Sequence, residues 1–495
     1  MASLMTSPLI QRVVAALPAN LDVYLVGGAV RDAMLARDSN DLDFVLAGDT
    51  LKTARLLADK LGGAYFPLDA TREYARIVLE TEKSGERIKL DFATYQCGSL
   101  DSDLRMRDFT INAMAVNLNQ PGKLIDPLGG AVDLAAKKLR ACSPEAMLND
   151  PVRILRAVRL AQKYEFMILP ETIHWMRQAV GRLGLVSPER LRDELFHILE
   201  CDQPRVGLEI LDRIGALEKL LPEVVGLKGV EQSAPHIYDV WTHTLEVVNR
   251  LSAVLATLAG EYNPDKSSNL ILGLVSVRLG RFRQALDEHL AEKLNPDRSL
   301  RALLFLAALY HDTGKPSTRT VDDNDRVRFL GHDHTGETLA IGRAQALHLS
   351  NLEVERLGSI IHHHMRPFLM SQMDGMPTRR TIYRFFRDTG AAGVDICILS
   401  MADMLATYGP TLAQELWVHH LDVVRSLLSA WWEHPQEQVA PAPLVNGTEL
   451  MHVFDLKPGP EIGRLLEAIR EAQAIGDVSS REQALDLARG LLDQG

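Results

Sequence analysis

Residues 25–48, LVGGAVRDAMLARDSNDLDFVLAG, combine a glycine turn with two aspartates. An apolar run ends at Gly27 and Gly28, an amphipathic helical turn follows, and a second apolar run carries Asp41 and Asp43. Residues i and i+2 of a strand project from the same face, about 6.5 to 7 Å apart. Both carboxylates can therefore bind hard cations that bridge to a triphosphate, the arrangement used in two-magnesium phosphoryl transfer.

Gly27, Gly28 and Arg31 are candidate triphosphate contacts. Glycine lets the backbone approach a ligand closely, and an arginine can pair with phosphate oxygens through two parallel hydrogen bonds. Taken singly, a GG pair and a DxD pair occur in many unrelated proteins, as a plain turn and a solvated strand end. Their order and spacing, with Asp41 13 residues after Gly28, favour a nucleotide-binding site.

The bulk composition is typical of a globular protein with several domains. The chain has 495 residues, of which 46% are hydrophobic and 24% charged, and this length exceeds what one core normally accommodates. Its four cysteines form no CxxC pair, which predicts a reducing cytoplasm and neither disulfides nor a zinc ribbon. We find no export signal and no run of the roughly 18 apolar residues that a membrane span needs, so we expect no membrane partner.

The distribution of charge indicates one RNA-binding segment. The net charge of −11 disfavours nucleic-acid binding by the surface as a whole. Residues 137–192 nevertheless carry eleven Lys or Arg against five Asp or Glu, a local charge of +6 that leaves −17 for the remainder. This segment can hold RNA phosphates while the rest of the protein stays acidic.

The hydrophobic pattern predicts an α+β fold. From Asp22 to about Asp133, short β-rich runs alternate with one helical stretch, Thr50 to Leu61, which indicates a mixed sheet with helices. After about Leu134 the strand patterns stop and nearly everything has helical period. The predicted remainder is therefore all-helical.

The order GG, VRD and DxD resembles the head of the polymerase-β-like nucleotidyltransferases. RMRDFTINAMA (105–115), DPLGGAVDL (126–134) and SPERLRDELFHIL (187–199) further resemble the class that includes bacterial CCA-adding tRNA nucleotidyltransferases and poly(A) polymerases. The resemblance implies that Asp91 is a third catalytic carboxylate. It also implies that Arg107, Asp108 and Asn112 contact the ribose and triphosphate of the incoming nucleotide.

NDPVRILRAVRLA (149–161) is a candidate base-selecting helix. Asp150 stands near its start, and Arg153, Arg156 and Arg159 follow at three-residue steps. Because i and i+3 share a helix face, Asp150 and Arg153 can present a carboxylate and a guanidinium to the edge of a base. In the family that this chain resembles, the matching pair selects CTP and ATP; a helix cap with an ion pair is the alternative.

One departure from the family weakens the expectation of complete CCA addition. Only FATYQCGSLDSDLRMR separates Asp91 from Asp108, and Met106 stands where the family has an arginine. Complete enzymes of this class generally carry a longer flexible loop here. The shorter loop implies an alternative function, namely that of an enzyme that adds only the two cytidines.

A second constellation consists of histidines with adjacent carboxylates, the usual ligands of a hydrolytic metal site. Its segments are DVWTHTLEVV with His243, ALYHDTGKPSTR with His311, Asp312 and Lys315, FLGHDHTGETLA with His332 and His334, SIIHHHMRP with His362, His363 and His364, and LSMADMLA with Asp403. The order resembles the HD phosphohydrolase superfamily. That resemblance implies His243, His311, Asp312 and Asp403 as core ligands, with His332 and His363 as additional ones; helical core and surface histidines are the alternative.

The expected function is transfer of CMP and AMP from CTP and ATP to tRNA 3′ ends, with Mg²⁺ at Asp41 and Asp43. A phosphohydrolase activity is expected at the HD site, with Mn, Ni, Co, Fe or Mg²⁺ as its metal. A CC-adding enzyme, a poly(A) polymerase, and an HD phosphohydrolase whose head only binds RNA are the alternatives. The oligomeric state stays open.

We predict four domains. They are a head over 1–136, a helical neck for base selection and RNA binding over 137–228, an HD domain over 229–410 and a helical tail over 411–495. The stretch from Leu251 to Ser299 is additional helical material to which no chemistry is attached.

Overall fold

The computed structural model describes residues 7–18, 21–80, 87–95, 98–120, 123–259 and 270–493. The chain divides into two compact units. Unit 1 consists of Met1–Ser187 with Ile210–Lys219, and unit 2 consists of Pro188–Glu209 with Leu220–Gly495. Cys97 lies outside the described residues. The predicted fold class is confirmed, with a mixed sheet at the N-terminus and a mostly helical remainder.

Unit 1 is built on a seven-stranded sheet. Its strands are β1 (Val23–Val26), β2 (Asp41–Leu46), β3 (Ala64–Asp69), β4 (Tyr74–Glu80), β5 (Arg87–Thr94), β6 (Ala115–Asn117) and β7 (Leu124–Ile125). They lie in the order β3-β4-β5-β2-β1-β6-β7. Only β2 and β5 pair in parallel, with Asp43 directly beside Asp91; the other pairs are antiparallel.

Helices flank this sheet and form the following neck. They are α1 (Pro8–Ala16), α2 (Gly28–Met34), α3 (Thr50–Leu61), α4 (Leu100–Arg105), α5 (Gly130–Ala135), α6 (Ala146–Asn149), α7 (Arg153–Tyr164) and α8 (Pro170–Ala179). The predicted helix from Thr50 to Leu61 has the observed bounds of α3, because Asp49 caps its first turn and Gly62 ends it in a left-handed conformation.

Strands do not stop at Leu134, which corrects the predicted all-helical remainder in detail. β8 (Lys138–Leu139) pairs with β9 (Met167–Ile168), and β10 (Arg319–Val321) forms a hairpin with β11 (Val327–Phe329). Elements of two or three residues are too short to show an alternating pattern. The hydrophobic period of the sequence therefore does not predict these short strands.

Unit 2 is helical apart from that hairpin. Two helices cross between the units, namely α10 (Pro204–Arg213), which begins in unit 2 and ends in unit 1, and α11 (Ala216–Leu220), which begins in unit 1 and ends in unit 2. The other helices of unit 2 are α9 (Pro188–Leu199), α12 (Pro222–Val225), α13 (Val240–Leu258), α14 (Leu270–Leu279), α15 (Arg283–Ala291), α16 (Leu300–Tyr310), α17 (Lys315–Thr318), α18 (His332–Ala346), α19 (Asn351–His363), α20 (Arg366–Ser371), α21 (Arg379–Thr389), α22 (Ala392–Tyr408), α23 (Gln414–Trp432), α24 (Gly447–Phe454), α25 (Pro460–Ile475) and α26 (Arg481–Leu492). In α16 every residue except Arg301 is buried, so this helix forms the centre of a core.

The additional material after Leu251 is tied to this core by a buried ion pair. His289 of α15 lies 2.9 Å from Asp395 of α22, and Arg356 of α19 donates to the same carboxylate at 3.1 Å. Asp395 is fully buried. The described part of the insertion is thus packed as an integral part of unit 2.

Helix α22 corrects the expectation that no stretch is apolar enough to span a membrane. Residues Ala392–Thr411 pass that test by length and composition, but 83% of the apolar window is buried inside the protein. The helix also carries Asp403 of the histidine constellation. These features are typical of a core helix.

Candidate nucleotide and metal sites

A cavity of about 250 Å³ opens in unit 1, beside the start of α2. Its walls bring together eight of the residues predicted from the sequence, namely Gly27, Gly28, Asp43, Arg107, Asp108, Asn112, Arg153 and Arg156. These residues span 130 positions of the sequence. They meet because four parts of the chain converge there, namely β1, β2, the segment that follows α4, and helix α7. Their individual roles stay predictions.

Three carboxylates form one edge of this site. Asp41 and Asp43 lie two residues apart on β2, and Asp91 lies beside Asp43 on β5. Burial raises the pKa of Asp43 to about 6; the positive charge of Arg107 opposes this shift, and the carboxylates of Asp91 and Asp41 add to it. A carboxyl group whose pKa is raised by burial and by two neighbouring carboxylates is stabilised in its charged form by a cation, so these residues suit Mg²⁺.

Asp91 is already paired within the sheet. Arg76 of β4 donates to both of its carboxylate oxygens, at 2.7 and 2.8 Å, and the Tyr74 hydroxyl donates at 2.5 Å. These bonds neutralise part of the negative charge of Asp91, and the remaining charge lies beside Asp43. The bidentate arginine holds this carboxylate in place beside Asp43, and the catalytic role of Asp91 stays a prediction.

Gly27 brings the backbone close to Arg107 at the cavity. It has a φ of +73°, and a Cβ there would lie 3.1 Å from Arg107 Nη1 and 3.3 Å from Asp43 Oδ2. The positive φ disfavours a side chain at this position, and Arg107 and Asp43 would have to shift to admit one. A phosphate can therefore approach the backbone between Arg107 and Asp43.

Arg31 is not among the residues that line the cavity, and its predicted contact with the triphosphate stays a prediction. Its side chain is buried, Nη1 donates to Asn112 at 2.6 Å and Nη2 donates to the Tyr164 hydroxyl at 2.8 Å. The hydroxyl in turn donates to Asp32 at 2.7 Å. With its donors used in this way, Arg31 orients Asn112.

Replacing Tyr164 with Phe tests this network. The change removes the acceptor of Arg31 and the donor to Asp32, and losing one partner of a buried hydrogen bond costs about 1 to 3 kcal/mol. We expect the KM for the nucleotide to rise about tenfold with a smaller change in kcat. Steady-state kinetics measure both. The control is Tyr65→Phe, which alters a ring beside the exposed Arg55; an unchanged KM in Tyr164→Phe contradicts the network.

Asp108 and Asn112 form the opposite wall. Asn112 donates to Asp108 Oδ1 at 3.0 Å and Arg156 donates to Oδ2 at 3.2 Å. Burial alone raises the pKa of Asp108, but Arg156, Asn112 and Arg153 hold it below its ordinary value. Asp108 therefore stays ionised and fixes the amide of Asn112.

Arg153 is anchored at the start of α7 by three backbone carbonyls. Its Nη1 donates to Met106, Arg107 and Ala146 at 3.2 to 3.3 Å. Asp150 is 3.9 Å from its Nε, an ion-pair distance. The pair thus presents a carboxylate and a fixed guanidinium side by side. Arg159, farther along α7, is not among the cavity-lining residues.

The predicted HD residues come together in the interior of unit 2. His243 Nε2 lies 3.0 Å from Asp403 and 3.6 Å from Asp312. His311 Nε2 lies 3.1 Å from Asp312 Oδ2, and His332 Nε2 lies 3.6 Å from Asp312 Oδ1. Ligand atoms around one ion with bonds of about 2.1 Å lie roughly 3.0 Å apart in octahedral and roughly 3.4 Å apart in tetrahedral geometry, so these separations suit a metal ion.

Of the run of three histidines, His364 lies in this cluster, whereas the sequence analysis chose His363. His364 Nε2 lies 3.4 Å from His332 Nε2, and Asp312, His332 and His364 form one compact ligand group. Asp312 also belongs to a second group, with His243 and His311. His363 belongs to neither group among the described residues. Asp312 can therefore be shared between two metal positions.

The protonation of these histidines fits metal binding. The Nδ1 atoms of His311, His332 and His364 each donate to the backbone carbonyl three residues earlier, at 2.7 to 2.8 Å. A neutral imidazole with hydrogen on Nδ1 presents its Nε2 lone pair to a metal. The Nε2 atoms of His243 and His311 are buried without hydrogen-bond partners. These orphaned acceptors fit a divalent ion.

Two residues near the HD cluster, Gln232 and His236, escaped the sequence analysis. The Lys315 ammonium lies 2.7 Å from Asp312 and donates to Gln232 at 2.7 Å, and the His236 ring packs edge-on against His243. Gln232 and His236 stand in the segment that precedes α13. That segment carries no motif, so only the fold reveals its position.

Four family models match the chain. They are the Poly A polymerase head domain over residues 23–140, an RNA and SrmB-binding site of polymerase A over 165–227, an HD domain over 285–407 and a tRNA nucleotidyltransferase domain 2 over 437–488. The matches follow the order of the motifs described above.

Curated relatives match along almost the whole chain. The A-adding tRNA nucleotidyltransferase of Deinococcus radiodurans is 33% identical over 93% of this chain and 93% of the relative. The CC-adding tRNA nucleotidyltransferase of Thermus thermophilus is 33% identical over 94% of this chain and 92% of the relative. A solved CCA-adding enzyme with ATP is similar in fold, with a TM-score of 0.62 at 21% identity over 98% of this chain and 94% of that structure.

Proposed function

The chain belongs to the bacterial tRNA nucleotidyltransferase family with a polymerase-type head and an HD domain, and on this basis we propose that it extends tRNA 3′ ends with CMP and AMP from CTP and ATP. The expectation of a nucleotidyltransferase enzyme is confirmed, and the family depends on a divalent metal. The observation that carries the proposal is the cavity that joins Asp43 to seven other predicted nucleotide contacts. We place the activity in the cytoplasm and retain the four predicted domains as part of the proposal.

The residues of the site have different roles in the proposed reaction. Asp41 and Asp43 would hold Mg²⁺, which when bound activates the tRNA 3′-hydroxyl and neutralises the leaving pyrophosphate. The hydroxyl attacks the α-phosphate and pyrophosphate leaves. Arg107, with the backbone at Gly27, holds the triphosphate, while Asn112 and Asp108 hold the ribose. Asp150 and Arg153 select the base by its Watson–Crick edge.

The first experiment measures extension of tRNA that lacks its CCA end. The purified protein is incubated with CTP, with ATP or with both, and the products are resolved at single-nucleotide length. Three added nucleotides ending in A support complete CCA addition. Failure to extend any such tRNA, by protein that is folded and supplied with Mg²⁺, contradicts the proposal.

Addition of only a part of CCA is the second candidate. Two observations favour it. The segment from Asp91 to Asp108 is short, and two relatives that match along almost the whole chain are named an A-adding and a CC-adding enzyme. A stop after two cytidines indicates a CC-adding enzyme. Extension only of tRNA that already ends in CC indicates an A-adding one. A poly(A) polymerase instead extends RNA by many adenosines, which the same gel distinguishes.

We further propose that unit 2 hydrolyses phosphoesters at the HD cluster. His243, His311, Asp312, His332, His364 and Asp403 would hold one or two ions of Mn, Ni, Co, Fe or Mg²⁺. A bound ion supplies a hydroxide nucleophile at neutral pH. Lys315 and His236 face the same cluster and can contact the phosphate. Terminal phosphates and cyclic 2′,3′-phosphates at RNA ends are the proposed substrates.

Adjacent histidines give a matched test of this site. His364→Gln is expected to lower metal-dependent phosphate release about a hundredfold, because metal charge is worth several kcal/mol and 1.36 kcal/mol is a factor of ten. His363→Gln is the control and should keep the wild-type rate, since it ligates in neither group. Equal losses in both variants contradict the assigned ligand set.

A further inference from the structure

A third group of potential metal ligands lies on the surface of unit 2. It consists of His334 and Glu337 on the first turns of α18 and His362 on the last turn of α19. The His334 side chain is 75% exposed, Glu337 26% and His362 37%. The group is therefore open to an ion from solvent, unlike the buried HD cluster.

The distances within this group suit a metal ion. His362 Nδ1 lies 2.8 Å and His334 Nδ1 lies 3.4 Å from the same oxygen, Oε2 of Glu337. Ligands of a tetrahedral ion with bonds of about 2.1 Å lie about 3.4 Å apart. The separation of His334 Nδ1 from Glu337 Oε2 already matches that value. The separation of His362 Nδ1 from the same oxygen reaches it by a small rotation of the exposed imidazole.

Helix geometry separates this group from the HD cluster. Residues two apart on a helix differ by about 200° in direction. His332 and His364 point to the HD cluster, so His334 and His362 point to the opposite side of the same two helices. Close packing of α18 on α19 sets the spacing, since a Cβ on Gly358 would lie 3.2 Å from Ile341 and 3.7 Å from Glu337.

We propose that His334, Glu337 and His362 form a separate surface site for a divalent transition ion such as Zn²⁺. Two imidazoles and a carboxylate favour Zn²⁺, Ni²⁺ or Co²⁺ over Mg²⁺, which prefers oxygen ligands. Water completes the coordination at the open position. The bound ion clamps α18 to α19 near His332 and His364, so it also stiffens the support of two HD ligands.

The test counts bound zinc in the full-length protein. Wild type and the double variant His334→Gln/His362→Gln are stripped of metal, dialysed against buffered zinc and analysed by mass spectrometry for metal per chain. We expect the double variant to hold one equivalent less than wild type. His363→Gln, which changes the neighbouring histidine outside both clusters, should hold as much as wild type.

The remaining outcomes decide the proposal independently of tRNA activity. Equal zinc in the double variant and wild type overturns it. Loss of more than one equivalent also overturns it, because the group then only supports the HD cluster. Thermal melting in EDTA reports folding without metal; if the double variant melts lower than wild type, Glu337→Gln takes its place with the same expected loss.

Discussion

Replacing Asp43 with Asn is expected to lower kcat for nucleotide addition by at least a factor of about a hundred. Asp43 is the cavity-lining carboxylate of the DxD pair, and Asn keeps its size while removing the charge that would hold Mg²⁺. Stabilisation by a metal is worth several kcal/mol in phosphoryl transfer, and each 1.36 kcal/mol is tenfold in rate. Incorporation of labelled CMP into tRNA measures the effect.

A matched control separates the site from its surroundings. Asp59→Asn removes an equal charge from the exposed face of α3, where Asp59 forms a surface ion pair with Arg55. Such pairs contribute little, so activity should stay at the wild-type level. A rate for Asp43→Asn within tenfold of Asp59→Asn would show that Asp43 does not hold the catalytic metal.

Gly314→Ala is expected to destabilise unit 2 and release metal from the HD cluster. A Cβ at Gly314 would lie 2.0 Å from the carbonyl oxygen of His332 and 2.7 Å from the backbone nitrogen of Gly336. Because backbone atoms cannot rotate away, the start of α18 must move, and His332 moves with it. Overpacking costs about 1 to 3 kcal/mol, which corresponds to a melting temperature lower by about 2 to 5 °C for a unit of this size.

The same helix offers the control for this prediction. Gly342→Ala adds a Cβ in the interior of α18, where nothing lies within 4 Å. Alanine has the higher helix propensity, so stability should stay equal or rise slightly. Calorimetry and metal analysis check both variants. Equal melting temperatures and metal contents would mean that α18 does not pack on Gly314 as described.

Local signals in the sequence predicted the parts of the head that depend on near neighbours. The bounds of α3 followed from its own cap residues, Asp49 and Gly62. The spacing of Gly28 and Asp41 placed a glycine turn and a carboxylate pair on adjacent strands, which pair in register. In both cases the determining atoms lie within a few residues or within one strand–helix–strand unit.

Other parts of the sites depend on contacts that no short motif encodes. Neighbouring residues on a helix differ by about 100° in direction, so the packing of α19 on α18, and not the run of three histidines, decides that His364 and not His363 faces Asp312. Arg31 turns toward Asn112 because Tyr164, 133 residues away, holds its other donor. Asp91 is neutralised by Arg76 across a strand pair.

The division of the chain into units has a consequence for synthesis on the ribosome. Ile210–Lys219 belongs to unit 1, although the preceding 22 residues belong to unit 2. The nascent nucleotidyltransferase unit therefore lacks its last piece when Ser187 has been translated. At 5 to 20 residues per second it waits roughly 2 to 6 s for Lys219. An mRNA that ends after the codon for residue 187 encodes an incomplete unit 1. A single truncation at that point therefore cannot separate the nucleotidyltransferase activity from the proposed phosphohydrolase activity.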